Sequence, residues 1–345
     1  KEKPMFSGIS LYALLALFCF AAFIIAVFGS MMTRLADRLA DVTGLGEALM
    51  GAMFLGGCTS LPGIVTSVTA AYKEFPELAV SNAIGGIAVQ TVFLAIADIF
   101  YRKANLEHAA ASLANLMQGA LLVSLLALCI LGITGPQMSL LSIHPISVIL
   151  VVGYILGLRQ VSLVRSEPMW RPRKTRETRV DQAGTESMTR SAIFKTWLVF
   201  VLLACVVAVA GYMVAEMGIA ISQRIGLSQT LVGGLMTAVV TSLPELVTSI
   251  ASVRQGALTL AVGGIIGGNC FDVLFVAFSD VAYRKGSIYQ VLTEHQTFMI
   301  ALTALLTGVL LLGLIRREKH GIVNIGFESF LIILLYISMF IFFKM

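Results

Sequence analysis

The sequence predicts an all-α polytopic membrane protein with ten transmembrane helices in two inverted five-helix repeats. Three observations lead there. Of the 345 residues, 58% are hydrophobic and 12% charged, against roughly 25% charged in a soluble domain. Ten apolar runs are each long enough for a helix to cross roughly 30 Å of hydrocarbon. The second half of the chain also repeats the first at a fixed offset.

The runs cover residues 9–31, 45–72, 76–100, 109–133, 140–158, 193–217, 228–253, 257–281, 294–315 and 324–343. Lys1 and Lys3 precede the first run as they would a secretory signal, but it is longer than the usual core of about 7–15 residues and reads as a span. The second, third, seventh and eighth runs contain Pro, Gly, Ser and Thr and read as broken helices. Between the fifth and sixth runs lies the one long polar segment. It carries Arg159, Arg165, Arg171, Arg173, Lys174, Arg176, Arg179 and Arg190 against Glu167, Glu177, Asp181 and Glu186. The positive-inside rule makes it cytoplasmic. Residues 1–157 are then the first repeat, 158–192 a basic cytoplasmic linker and 193–345 the second repeat. Arg34, Arg38, Arg102, Lys103, Arg316, Arg317 and Lys319 fall on the cytoplasmic side, Arg284 and Lys285 fall against the rule, and both termini are external.

The repeat is explicit. GLGEALMGAMFLGGCTSLPGIVTS starts at residue 44 and GLSQTLVGGLMTAVVTSLPELVTS at 226; ADIFYRK at 97 returns as SDVAYRK at 279. The offset is 182 throughout. Five spans per copy is an odd number, so the second copy enters the membrane from the opposite side. Chains built this way bind their substrate near the midplane, on helices broken at equivalent points.

Composition excludes other classes. The net charge of +5 resides mostly in loops that topology already requires to be basic, so the expected partners are inorganic cations and membrane lipids rather than nucleic acid. No nucleophile–base pair or HExxH pattern lies within the spans, so no enzyme activity and no cofactor are expected. Cys19, Cys58, Cys129, Cys205 and Cys270 lie in apolar runs without metal-ligand spacing and read as free, buried thiols. His108, His144, His295 and His320 sit at loops or helix ends. Asp98 and Asp280 each precede an arginine by four residues, which reads as an ion pair with Arg102 or Arg284. Glu47, Glu74, Glu77 and Glu216 fall near membrane faces, solvated or at a cavity mouth.

The chemistry concentrates at the breaks. Pro62 and Pro244 remove a backbone donor and displace a carbonyl one turn earlier. In hydrocarbon that carbonyl must find a partner. Thr59, Ser60, Thr241 and Ser242 add hydroxyl oxygens of the kind hard cations prefer. Gly-rich SNAIGG and GGIIGG stand on the neighbouring runs. Glu245 and Asp272 lie near the centres of their spans, where a charge costs at least about 2.5–3.5 kcal/mol, and read as a site for a divalent cation, protons or sodium ions.

TSLPG with GGIAVQ, and TSLPE with GGNCFD, resemble the two alpha-repeats of the cation/calcium antiporter superfamily, over nearly the whole chain. The resemblance implies a ten-helix bundle whose second, third, seventh and eighth helices enclose a central ion site. The implied metal ligands are Thr241, Ser242, Glu245 and Asp272 in the second repeat and Thr59 and Ser60 in the first. Gly63 stands where the family has a glutamate, and Gln90 where related exchangers carry Asn or Asp. Gly86 and Gly268 stand where sodium/calcium exchangers typically have serine. Gln90 can supply a carbonyl oxygen without titrating, and the missing side chain at Gly63 is expected to leave a roomier, wetter site.

The reading that follows is a secondary-active antiporter exchanging calcium or another divalent cation for protons or sodium. Two carboxylates balance one divalent ion, two protons or two sodium ions, which disfavours three sodium ions against one calcium. The alternatives are a monovalent cation/proton antiporter and a non-transporting antiporter-like sensor or scaffold.

Overall fold

The structure, a computed structural model, describes residues 5–6, 8–43, 54, 56–100, 105–110, 112–166, 189–318 and 326–344. The described residues are almost entirely helical. Helix α1 (Leu11–Ile24) passes through a π-helical turn at Ile25–Gly29 into α2 (Ser30–Thr43). There follow α3 (Leu61–Tyr72), α4 (Pro76–Phe100), the short α5 (Leu106–Ala110), α6 (Leu113–Thr134) and α7 (Pro145–Ser166). The second half contains α8 (Arg190–Ile225), α9 (Gln229–Thr241, with a π-helical stretch Val232–Thr237), α10 (Leu243–Gln255), α11 (Leu258–Asp272), α12 (Leu274–Ala282), α13 (Glu294–Arg316) and α14 (Phe327–Lys344).

Among the described residues, seven helices are long and apolar enough to cross a membrane, eight counting the bent pair α9 and α10 as one span. Leu61–Tyr72 and Phe327–Met339 are apolar but shorter. This is an integral, multi-pass membrane protein. The first span runs on well beyond residue 31. Helices α7 and α8 extend to residue 166 and start at residue 190, into the segment the sequence marks as linker.

The arrangement inverts the soluble pattern. Large apolar side chains such as Phe20, Phe23, Leu131, Val148, Leu202, Leu312 and Phe330 are exposed on the outside, while Ser60, Asn82, Gln90, Glu245, Asn269 and Asp272 are buried. Polar groups in a membrane interior face the bundle rather than lipid. Among the described spans α4 is the most deeply buried, and the first span is mostly exposed.

Local sequence sets the ends and breaks. Ser112, Thr189 and Ser228 cap α6, α8 and α9 by accepting from Asn115, Ala192 and Leu231 backbone N–H groups, satisfying donors the first turn leaves unpaired. Gly226 and Gly256 end α8 and α10 at φ 67° and 80°, the left-handed region glycine tolerates. The two central breaks fall at Ser60 and Ser242 (φ −88°, ψ 2° and φ −97°, ψ 6°), with Pro62 and Pro244 in the first turn beyond. There a residue without N–H loses nothing. Helices α9 and α10 bend by 47°. Each break is backed by a glycine 182 residues from its counterpart. A Cβ on Gly29 would lie 2.6 Å from Pro244 Cγ, and one on Gly211 2.7 Å from the Pro62 carbonyl, so no side chain fits behind either proline.

Three expectations change. Asp280 is fully buried and does not pair with exposed Arg284. Its Oδ2 accepts from His144 N and Ser147 Oγ, both at 2.7 Å, and its Oδ1 from Ile288 N at 2.7 Å and Ser287 Oγ at 3.1 Å. Asp98 is likewise buried and accepts from Leu106 N (2.6 Å), Gly326 N (3.2 Å) and Ser329 Oγ (3.1 Å); Arg102 lies outside the described residues, as does Glu47. Both aspartates cap helices, whose bare N-terminal N–H groups in a dry interior need an acceptor; at Asp280 that need outweighs exposed Arg284. Glu216 is also buried, 2.5 Å from Lys73 Nζ. Cys19 and Cys205 are exposed on the bundle surface, whereas Cys58, Cys129 and Cys270 are buried; all five are free thiols.

Candidate functional site

Four of the side chains marked in the sequence meet at the centre. Ser60, at the break before α3, donates its hydroxyl to Asp272 Oδ1 at the end of α11. Gln90 of α4 donates Nε2 to Asp272 Oδ2 at 2.7 Å and to Ser242 Oγ at 3.3 Å. None of the four exceeds 4% exposure. Their pairing follows the repeat. Ser60 and Ser242 are equivalent by the 182-residue offset, and so are Gln90 and Asp272. Ser60 meets position 272 of the other half, and Ser242 meets position 90 of the other half, so exchanging the halves maps one contact onto the other.

Glu245, in the first turn of α10, is buried. Its Oε2 and the Oε1 of Gln90 are buried acceptors with no hydrogen-bond donor among the described residues. The second follows from the first contact: an amide whose nitrogen is committed to a carboxylate must turn its oxygen elsewhere. Gly86 and Gly268 border the centre, where a Cβ would stand in ordinary contact, 3.5 Å from Ser242 Oγ and 3.8 Å from Gln90 Oε1.

The threonines are oriented differently. Thr59 Oγ1 bonds back to the Gly56 carbonyl at 3.1 Å, and Thr241 Oγ1 to the equivalent Ala238 carbonyl at 3.3 Å. Thr241 also reaches Asn82 Oδ1 at 3.5 Å. Asn82 had not been singled out from the sequence. It donates Nδ2 to Ser67 Oγ (2.9 Å) and the Gly63 carbonyl (3.3 Å), and accepts from Thr237 Oγ1 at 2.7 Å. It thereby ties the break of the first half to the approach helix of the second. The signal was an amide in the apolar stretch SNAIGG, hidden because its repeat equivalent is Gly264.

The expected room at Gly63 is absent. The ring of Phe275 on α12 covers it, 2.7 Å from where a Cβ would stand. Among the described residues no cluster of three or more His, Cys, Asp or Glu side chains could hold a metal. Any cation here rests on two carboxylates helped by amide and hydroxyl oxygens.

Fold and centre together define a multi-pass membrane protein with a buried acid–amide–hydroxyl cluster at paired helix breaks. The sequence profile of the sodium/calcium exchanger protein family matches residues 13–159 and 195–345. The chain belongs to that family, whose members are transporters rather than enzymes. It is 32% identical over 136 residues to sodium/calcium exchanger MaX1 of Methanosarcina acetivorans, a match spanning 39% of each chain. It is 26% identical over 285 residues to putative antiporter CaxA of Alkalimonas amylolytica, covering 82% of this chain and 85% of that one. The crystal structure of the H+/Ca2+ exchanger CAX superposes with a TM-score of 0.66 at 12% identity, over 96% of this chain and 88% of that one, a shared fold.

Proposed function

We propose that this chain is a secondary-active antiporter that exchanges calcium or another divalent cation for protons or sodium by alternating access. The observation that carries this is the pair of orphaned acceptors, Glu245 Oε2 and Gln90 Oε1, beside Asp272. A buried acceptor without a donor is costly, and mobile positive charge compensates it. Glu245 and Asp272 supply the charge, while Gln90, Ser60, Ser242, Thr59 and Thr241 supply neutral oxygens. Two negative charges match one divalent ion, two protons or two sodium ions. Both cargoes compete for the same groups, and that competition couples their movements.

The exchange of partners between halves supports the ten-span, inverted-repeat architecture, with the basic linker in the cytoplasm. Two copies of one unit entering from opposite faces provide two related conformations, each opening the centre to one side. The test is flux in proteoliposomes. Calcium uptake driven by a pH or sodium gradient, lost in Glu245→Gln, is the expected result. Uptake unchanged by Glu245→Gln contradicts the reading.

One observation favours a monovalent cation/proton antiporter as the second reading. Both oxygens of Asp272 already accept from protein donors, leaving Glu245 the carboxylate with a free oxygen. The same vesicles separate the two, since only the first moves calcium.

A further inference from the structure

Resting on the cation-antiporter reading, we propose that Phe275 is a specificity-determining residue: its ring plugs the first-half limb of the site and leaves room for one dehydrated cation, favouring calcium over magnesium.

The ring sits one layer from the ligands. Ser60 touches Asp272, and three residues further along both segments, past the junction at Val273 that keeps a helical conformation, Gly63 lies under Phe275, whose Cε2 is 2.7 Å from the position of a Cβ. Three residues is nearly one helical turn, so the two contacts stack on one face. Phe275 is 3% exposed.

The ring is braced. It lies edge-on to Phe271, centroids 6.2 Å apart at 80°. Phe271 in turn fills the glycine surface before the break, 3.2 Å from a Cβ on Gly56 and 3.5 Å from one on Gly57. Glycines at 56, 57 and 63 thus receive two aromatic rings spaced four residues apart, and Phe275 cannot swing back toward Phe271 without displacing it.

The other half shows that an aromatic residue as such does not exclude an acid. By the 182-residue offset, Glu245 and Phe93 hold the positions of Gly63 and Phe275. Val89 stands where Phe271 does, and Ala238 and Val239 where Gly56 and Gly57 do. The exclusion comes from where the Phe271 brace holds Phe275. The cation is therefore confined to the wall of Glu245, Asp272 and Gln90. Magnesium gives up its water reluctantly and needs space for a retained shell, whereas calcium accepts irregular protein oxygens directly.

The experiment measures the melting temperature of the purified full chain against calcium and against magnesium, with flux in vesicles, for the wild type, Phe275→Leu, Gly63→Glu and the double variant Gly63→Glu/Phe275→Ala. Expected are calcium stabilisation of the wild type with at least tenfold weaker response to magnesium, and collapse of that ratio in Phe275→Leu. Gly63→Glu alone gains no calcium affinity, while the double variant gains it. A Phe275→Leu protein that keeps the wild-type calcium-to-magnesium ratio, or a single Gly63→Glu that binds calcium as tightly as the double variant, overturns the proposal while the antiporter reading stands. A wild type that neither transports nor responds to any cation defeats the antiporter reading itself.

Discussion

The aspartate caps and the polar centre are built on the same repeat, which is kept at the first and broken at the second. Asp98 accepts from Leu106 N, Gly326 N and Ser329 Oγ, and Asp280 from Ile288 N, His144 N and Ser147 Oγ. Every position in one set lies 182 residues from one in the other, with the halves exchanged. At the centre the serines still reach across symmetrically, but position 90 is an amide where 272 is an acid, and position 63 is a covered glycine where 245 is an acid. Capping a helix is the same task on both sides, so the two copies solve it alike. The acids of the centre are not shared alike: Glu245 and Asp272 both stand in the second half, so the sequence repeats while the charge is one-sided.

The largest expected effect comes from removing charge at the centre. Asp272→Asn keeps the shape but halves the carboxylate count and leaves the Ser60 hydroxyl and the Gln90 amide facing a group with a single acceptor oxygen. Flux of calcium in vesicles is expected to vanish while the protein still folds in detergent. Persistent flux would place the cation elsewhere. The converse change, Gln90→Glu, makes positions 90 and 272 both acidic. It is expected to tighten calcium binding about tenfold, near 1.4 kcal/mol, read as a larger calcium-dependent rise in melting temperature, with slower turnover.

The caps come next, and they act on stability without touching selectivity. Asp280→Ala strands four buried donors and Asp98→Ala three. Each stranded buried donor costs about 1–3 kcal/mol, so Asp280→Ala is expected to lose at least about 4 kcal/mol and Asp98→Ala at least about 3. The asparagine variants keep one acceptor oxygen and lose less. Thermal melting checks the ranking, and an unchanged calcium-to-magnesium preference in the surviving protein checks that caps and centre are separate devices.

What the sequence made legible follows from these differences. Ser60 and Ser242 were readable because hydroxyls at helix breaks, doubled at one offset, have few uses in hydrocarbon other than to meet, Asp272 because an acid in mid-span is costly, and Gln90 through the family resemblance. Asp280 was misread because an arginine four residues away is a local signal, and local signals dominate when the true partner is distant in sequence. The signal was nonetheless present, since Ser147 and Ser329 carry the same offset as Asp98 and Asp280. Phe275 was invisible for a different reason. An aromatic residue in an apolar run looks like any other, and only packing reveals that it stands on Gly63. Asn82 was missed because the repeat, used as a filter, hides a residue that occurs in one copy.

The smallest effects belong to the ion pairs, which also lack repeat counterparts: the offset pairs Lys73 and Glu216 with Gln255 and Arg34, and Glu74 with Gly256. Lys73 Nζ lies 2.5 Å from Glu216 Oε1, with the lysine 28% and the glutamate 1% exposed. Lys73→Met leaves a buried carboxylate without that charge and is expected to cost about 1–2 kcal/mol, reduced from the fully buried case because water reaches the lysine end. Lys285 and Glu74 are also 2.5 Å apart but 59% and 44% exposed. Water screens them, and holding two long side chains together offsets most of the attraction, so Lys285→Met is expected to cost under about 0.5 kcal/mol and nothing measurable in 1 M salt. Melting curves at low and high salt check the contrast. A Lys285→Met loss larger than that of Lys73→Met would mean that burial does not set the strength of these pairs, and the same argument applied to Glu245 and Asp272 would weaken with it.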